Sequence, residues 1–292
     1  TTVPCATVAG TCAYNPALRF AIKGANNAFT WRAALSYQTD GGMLMYASYN
    51  RGYRAGAFNG GGYTSWAGIS YISPVQVYAY EAGFKGKLGG VVTLAGALFY
   101  YDYKNQQVQD TRAGPVSFLV NAPKSEVYGG ELEATAKVSP GLNLNFAMGY
   151  LHARYKKLSL QGTTLDGASL PFAPELTLQA GMDLTVLDSG AGKLTLSPSV
   201  AYFSKQYFSP FNASNAVGTP QVNSELAQKG YAKVNVSAAF QTGPFTLRAY
   251  VNNLFNEKAY VYGLDLRGAG FPYNYLVPST PRTFGAAVKV AF

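Results

Sequence analysis

Side chains that bind metals or act as nucleophiles are scarce in this chain of 292 residues, which has one histidine and two cysteines. These are His152, Cys5 and Cys12. A structural zinc site takes four Cys or His ligands at short, regular spacings, and three such residues cannot supply that set. The sequence therefore predicts no metal held by nitrogen or sulfur side chains, and no cofactor.

Acid–base catalysis is also poorly supported by the sequence. His152 would need a serine nucleophile and an orienting Asp or Asn beside it to act in a hydrolase, and the sequence assigns neither. Glu131, Glu133 and Lys137 fall on one face of a strand, but no second acidic group with different surroundings can be placed opposite them. We therefore predict that the chain is not an enzyme, that His152 is interfacial, and that the three charged residues form a polar wall.

The composition indicates what kind of scaffold carries these residues. Charged residues make up only 13% of the chain, against about one quarter in an average soluble domain, whereas it holds 32 Gly, 23 Tyr and 17 Phe. No run of about 18 apolar residues occurs, which excludes a transmembrane helix. The net charge is +9, yet no basic run or motif points to nucleic acid. This is the composition of a β-rich protein with an aromatic exterior.

Apolar residues recur at every second position through most of the chain. In the clearest segment, 176–186, six apolar residues alternate with Thr, Gln, Gly and Asp. Such alternation predicts half-buried β-strands about ten residues long. Eleven segments fit this pattern: 29–38, 43–53, 76–88, 91–107, 125–138, 142–150, 176–186, 193–207, 231–241, 245–255 and 284–292.

The connections between these segments alternate in length. Short turns rich in Gly, Pro, Asp and Ser are expected at 39–42, 89–90, 139–141, 188–192 and 242–244. Long connections are expected at 54–75, 110–124, 157–174, 208–230 and 256–282. A soluble sandwich or adhesin module has no reason to place all its long loops at one end, and six alternating apolar residues would be an unusual surface in water. The pattern is typical of an all-β, transmembrane antiparallel barrel of the outer membrane.

An odd number of strands raises a question of completeness. The first and the eleventh strand would run in the same direction and could not pair antiparallel, whereas single-chain bacterial barrels have an even count and no lipid-exposed edge. The chain also begins TTVPCATVAG, with no initiator Met and no signal peptide pattern. We therefore expect further strands to precede Thr1, with residues 1–27 forming part of an extracellular loop and residues 28–292 forming barrel.

Six segments, in this order and spacing, resemble the TonB-dependent outer-membrane receptors. The resemblance extends over nearly all of the chain from Phe29 onward. It rests on YASYNRGYRAGAFNG (46–60), YEAGFKGKL (80–88), FYYDYKN (99–105), YGGELEATAKVSPGLNLNFAMGYLHARY (128–155), VNNLFNEKAY (251–260) and PRTFGAAVKVAF (281–292).

The resemblance implies a barrel of about 22 strands, plugged by an N-terminal domain on which the periplasmic protein TonB pulls. This sequence contains neither the plug nor the TonB-binding segment, so it corresponds to the C-terminal half of such a barrel, about eleven strands. Cys5 and Cys12, exposed to an oxidising compartment, are expected to form a disulfide; two free thiols are the alternative.

The resemblance further implies a bacterial outer-membrane receptor that binds and imports a ferric siderophore or another scarce nutrient. Arginines and aromatic rings suit anionic, aromatic ligands through charge-assisted hydrogen bonds and stacking. The candidate contact residues in the long loops are Arg54, Tyr63, Trp66, Arg112, Tyr207, Phe208, Phe211, Arg267, Phe271, Tyr273 and Tyr275.

Two alternatives stay open on the sequence. The first is a passive, porin-like channel, which an upstream plug and coupling segment would exclude. The second concerns the +9 charge, which would either draw anionic ligands into the vestibule or contact lipopolysaccharide phosphates at the outer rim.

Overall fold

Eleven long β-strands form the body of the molecule. The computed structural model describes residues 7–8, 11–12, 24–59, 70–112, 116–212, 226–266 and 270–291. We number the long strands β1 to β11 in chain order: Trp31–Gln38, Leu44–Arg54, Val75–Leu88, Val92–Arg112, Val116–Ser139, Leu142–Lys157, Leu176–Ser189, Gly192–Phe203, Tyr231–Thr242, Phe245–Asn252 and Thr283–Val290.

All eleven strands belong to one antiparallel sheet in which each strand pairs with its neighbours in sequence. This confirms the predicted strand count and the all-β fold class. Among the described residues there is no helix long and apolar enough to cross a bilayer. The remaining strands of the described residues form short two-stranded ribbons outside this sheet, such as Thr7–Val8 paired with Thr11–Cys12 and Tyr260–Leu264 paired with Tyr275–Pro278.

Strand register brings the apolar faces of neighbouring strands together. Phe146 of β6 pairs with Ala180 of β7, and Met148 pairs with Leu178. On the other face, Asn145 pairs with Gly181. Because side chains alternate between the two faces of a strand, one register aligns a continuous apolar surface with a continuous polar one. We call these the outer face and the inner face.

Tight turns close the hairpins at one end of the sheet. Residues 89–91 join β3 to β4, and both Gly89 and Gly90 have positive φ angles, of 57° and 71°. Two successive left-handed residues make the turn type whose twist suits a two-residue hairpin, and glycine adopts this conformation without strain. The predicted short connections are therefore confirmed.

The predicted long connection at 110–124 is wrong. Instead, β4 and β5 are 21 and 24 residues long, and their pairing continues from Lys104 opposite Lys124 to Arg112 opposite Val116. About ten residues suffice for a strand to cross the membrane, so this hairpin projects well beyond it. Alternation is weak in this stretch because its side chains pack against loops rather than against lipid.

A row of aromatic rings crosses the outer face near its loop end. Successive ring centroids lie 4.4, 4.3, 6.2, 6.5 and 4.6 Å apart. The row consists of Trp31, Tyr49, Tyr80, Tyr100, Tyr128 and His152. Rings of this kind mark the level of the membrane–water interface in outer-membrane barrels. The stacking of His152 on Tyr128 agrees with the interfacial position predicted for His152, which stays a prediction.

Candidate functional site

The loop end of the sheet carries a small hydrophobic core of its own. Residues 158–175, which join β6 to β7, fold back against the projecting β4–β5 hairpin. Leu165 and Ala168 are completely buried there. The buried cluster comprises Val108, Ala122, Tyr155, Leu158, Leu160, Leu165, Ala168 and Phe211. Strand residues and two connections thus share one core, which fixes these loops relative to the sheet.

Polar contacts hold the 158–175 connection at Leu158, at Asp166 and at Ser169. Lys157 Nζ lies 2.7 Å from Asp166 Oδ2, and the backbone N–H of Leu158 donates to Asp166 Oδ1 at 3.0 Å. The Lys157 hydrogen bond, followed by the Leu158 N–H, lowers the pKa of Asp166. Asn212 makes hydrogen bonds of 2.8 and 3.0 Å with the backbone N–H and C=O of Ser169.

A cavity of about 320 Å³ lies where these loops meet. Its walls come from the β4–β5 hairpin, the 158–175 connection, residues 208–211 and residues 262–265. The aromatic residues in the wall are Tyr155, Phe172, Phe208, Phe211 and Tyr262. The polar residues in the wall are Gln107, Gln109, Gln161, Ser209 and Asp265.

The ring of Phe172 contacts two other aromatic rings of this wall. The ring of Phe172 stacks on Tyr262 with centroids 5.8 Å apart and an interplanar angle of 14°. It lies 5.5 Å from the ring of Phe208 at an angle of 41°. Gly263 allows this packing, because a Cβ atom there would meet Phe208 Cδ2 at 2.7 Å. The arrangement presents flat apolar surfaces to a ligand.

Two residues of the cavity wall have left-handed backbone conformations. Phe172 has φ 59° and Gln161 has φ 50°. Residues other than glycine rarely adopt this region, and such strain is often found at ligand sites. At Gln161, the side-chain Nε2 donates to Asp110 Oδ1 at 3.1 Å, which directs the residue toward the hairpin.

The cavity combines apolar rings with carboxamides and hydroxyls. Gln107 Nε2 donates to the carbonyls of Ala55 and Ser73 at 3.2 and 3.3 Å. Tyr155 lies three residues beyond the aromatic row, outside the membrane-spanning part of β6, and burial raises its pKa to about 12. Its hydroxyl therefore stays protonated at neutral pH. Such a wall suits a ligand with both aromatic or aliphatic surface and hydrogen-bonding groups.

The structure places some of the predicted contact residues in this cavity and others outside it. Phe208 and Phe211 line it. Tyr207 lies next to it, and its ring packs under Lys205 Nζ at 4.6 Å. Phe271 and Tyr273 form a separate ring pair 5.7 Å apart, and Tyr275 is 55% exposed.

The arginines contribute less to the described site than the sequence predicts. Arg54 is exposed at the end of β2 and does not line the cavity. Arg112 ends β4. Tyr63, Trp66, Arg267 and Cys5 lie outside the described residues, so their roles and the disulfide to Cys12 stay predictions.

Of the residues in the wall, the sequence predicted only Phe208 and Phe211. Gln107 ends a predicted strand, and Gln109 and Tyr155 lie between a predicted strand and the connection predicted after it. Phe172 and Tyr262 were not singled out from the other loop aromatics. No local pattern marks them, because they come together only through packing of loops distant in sequence. Within the part of the chain that the structure describes, no three His, Cys, Asp or Glu residues are grouped to hold a metal ion.

Comparison with known proteins identifies the family of the chain. A family profile described as "TonB dependent receptor-like, beta-barrel" matches residues 9–254. The chain is 26% identical over 242 residues to the ferrichrome outer membrane transporter/phage receptor of Escherichia coli K12, covering 81% of this chain and 30% of that protein. It is 28% identical over 181 residues to the ferrioxamine B receptor of Salmonella typhimurium SL1344, covering 61% of this chain and 24% of that protein.

A solved structure shares the fold. The ferric yersiniabactin uptake receptor FyuA from Yersinia pestis superposes with a TM-score of 0.70 at 22% identity, over 89% of this chain and 37% of that one. The chain thus spans about a third of the length of the proteins that it matches. Because the family profile matches well over half of the chain, this protein belongs to the TonB-dependent receptor-like β-barrels of the outer membrane.

Proposed function

We propose that this chain is part of a receptor that binds a ferric siderophore, or a similar scarce nutrient, outside the cell and imports it with energy from the TonB system. The observation that carries the proposal is the cavity at the loop end, walled by Phe172, Phe208 and Tyr262. Relatives named for ferrichrome and ferrioxamine support the ligand class. We propose no enzymatic step.

The proposal also includes parts of the receptor outside the described residues, and its contacts with the membrane. A plug domain and a TonB-binding segment would precede residue 1, residues 1–27 would form an extracellular loop with a Cys5–Cys12 disulfide, and residues 28–292 would be barrel wall. The inner-face residues Glu131, Glu133 and Lys137 would border the plug. Membrane lipid and lipopolysaccharide would contact the outer face.

Uptake of radioactive iron tests the proposal. Cells lacking other iron receptors but expressing the whole receptor gene are given a panel of iron-loaded siderophores, with and without a protonophore. We expect one siderophore to bind under both conditions and to accumulate only in energised cells. A passive channel would let the ligand equilibrate without energy, and that result, or failure of every member of the panel to bind, would contradict the proposal.

A further inference from the structure

The charged side chains in the wall of the loop-end cavity indicate which net charge its ligand carries. In the described part of the wall, no lining residue is Lys, Arg or His, and the acidic residue is Asp265. The other lining residues bring carboxamides, hydroxyls, aromatic rings and apolar groups. This part of the wall therefore contains no cation that could pair with an anionic ligand.

Basic side chains at the end of β6 form ion pairs with carboxylates instead of lining the cavity. The pairs are Arg154 with Glu175, Lys156 with Glu126 and Lys157 with Asp166, at N–O distances of 2.7, 3.5 and 2.7 Å. None of these three basic residues belongs to the wall. The cations that are closest to the wall residue Tyr155 along the chain thus have partners outside the cavity.

The carboxamides of the wall give most of their N–H donors to the protein itself. Gln107 Nε2 donates to the carbonyls of Ala55 and Ser73, which uses both of its amide hydrogens. Gln109 Nε2 donates to Ser117 Oγ at 2.6 Å, which uses one of its two. Gln107 can therefore offer a ligand only its carbonyl oxygen, an acceptor. Such a wall suits ligand N–H groups better than anionic ligand oxygens.

Ferric chelates differ in net charge according to the groups that hold the iron. Three hydroxamates carry one negative charge each and balance the charge of Fe³⁺, so the core of a ferric trihydroxamate is neutral. Three catecholates carry two negative charges each, so their ferric complex keeps three negative charges. Moving that complex from water into a wall without cations would remove its hydration, and no ion pair would compensate the loss.

We propose that the cavity selects a ferric chelate without net negative charge, of the trihydroxamate type, and excludes ferric tricatecholates. The rings of Phe172, Phe208 and Tyr262 would pack against its methylene segments and flat hydroxamate groups, and the Gln107 carbonyl oxygen would accept from a ligand N–H. For the described wall, this class differs from the anionic ligand that the loop arginines predicted. The inference rests on the proposed function, because it names the class of chelate that the same receptor would import.

Two ferric chelates that share one iron-binding core and differ in charge test this selectivity. Iron-loaded desferrioxamine B carries a free ammonium group, and succinylation of that amine replaces the cation with a carboxylate. A cyclic, neutral ferric trihydroxamate and a ferric tricatecholate complete the panel. Quenching of intrinsic fluorescence measures binding to the whole receptor in detergent. We expect the parent chelate to bind about 10-fold more tightly than its succinylated form, and the tricatecholate not to bind.

Placing a cation in the wall gives the reverse test. Gln109→Lys should raise the affinity for the succinylated chelate, relative to the parent chelate, by about 10-fold. Gln241→Lys is the matched control, because Gln241 lies near the tight-turn end of β9 and does not line the cavity. It should leave the ratio of the two affinities unchanged. Folding of both variants is checked by heat-dependent gel migration.

Tighter binding of the succinylated chelate or of the tricatecholate to the unchanged receptor would overturn the inference. An unchanged affinity ratio in Gln109→Lys, or an equal change in Gln241→Lys, would also overturn it. If energised cells import the tricatecholate and no trihydroxamate, this inference fails and the proposed function stands. Failure of every chelate in the panel to bind would contradict both.

Discussion

At the residue scale, the cavity depends on a few side chains held in costly conformations. Phe172 keeps a left-handed backbone and still packs its ring between Tyr262 and Phe208. The surrounding loops must stabilise this conformation, because an isolated Phe would avoid it. Phe172 therefore links the order of the loops to the shape of the cavity.

Substitution of Phe172 tests this role. We expect Phe172→Ala to weaken binding of the cognate siderophore about 10-fold, because it removes two ring contacts and one wall of the cavity. Isothermal titration of the whole receptor measures the affinity. Phe29→Ala, which removes a ring that is 73% exposed and does not line the cavity, is the control. Equal affinities for Phe172→Ala and the unchanged receptor would remove Phe172 from the site.

Asn253 is a second residue with a left-handed backbone, in the segment VNNLFNEKAY that resembles the family. It is buried, and its side chain accepts from the backbone N–H of Glu257 at 2.8 Å and donates to the Glu257 carbonyl at 3.0 Å. We expect Asn253→Ala to lower the free energy of unfolding by about 2 kcal/mol, since it removes the hydrogen bonds of a buried side-chain amide. Urea unfolding in detergent measures this, with Asn252→Ala as the control; equal effects of the two substitutions would contradict the assignment.

At the scale of elements, the projecting β4–β5 hairpin organises the loops. It supplies Val108 and Ala122 to the core that buries Leu160 and Leu165. Loops joined only to strand ends would each move independently. Sharing one core with a rigid hairpin gives the cavity a defined shape before a ligand binds.

Truncation of a core side chain tests this dependence. We expect Leu165→Ala to cost about 3 kcal/mol of local stability and to accelerate amide exchange in residues 158–170 while β6 and β7 stay protected. Hydrogen exchange with mass spectrometry measures both. Leu98→Ala on the outer face, at a side chain that is 70% exposed, should change neither region. Uniform loss of protection across the sheet would show that the loop core does not fold as a separate unit.

The pH dependence of the same connection follows from Asp166. Hydrogen bonds from Lys157 and from the Leu158 N–H lower its folded pKa below the ordinary 3.8. Stabilisation by this carboxylate is therefore fully present above pH 3.8 and is lost as the pH falls through the folded pKa. We expect the protection of the Leu158 amide to decline over that acidic range, and Asp166→Asn to abolish the decline. A decline centred near pH 6 would implicate another group.

At the scale of the whole molecule, the sheet separates two environments. Its outer face carries the aligned apolar pairs of β6 and β7 and the aromatic row, and its inner face carries Asn145, Glu131 and Glu133. The separation persists because the register is continuous from Asn143 to Tyr155 between β5 and β6 and from Leu142 to Tyr150 between β6 and β7. The cavity lies at the loop end of this sheet.

Introducing a charge on each face tests which face contacts lipid. Met148→Arg places a charge on the outer face and should cost about 2–4 kcal/mol of folding free energy in a bilayer. Asn145→Arg, three residues away on the inner face, should cost much less. Unfolding of the whole receptor in phospholipid vesicles measures both, and a larger cost for Asn145→Arg would reverse the two faces.

The strands, their faces and the tight turns followed from the sequence alone, because alternation and turn chemistry are local and repeat along the chain. Segments such as 176–186 contain enough information to define a strand and its lipid face. The sequence alone did not predict the length of the β4–β5 hairpin, the core around Leu165 or the cavity around Phe172. They depend on contacts between loops far apart in sequence, where residue types carry no periodic pattern and only tertiary packing decides which side chains meet.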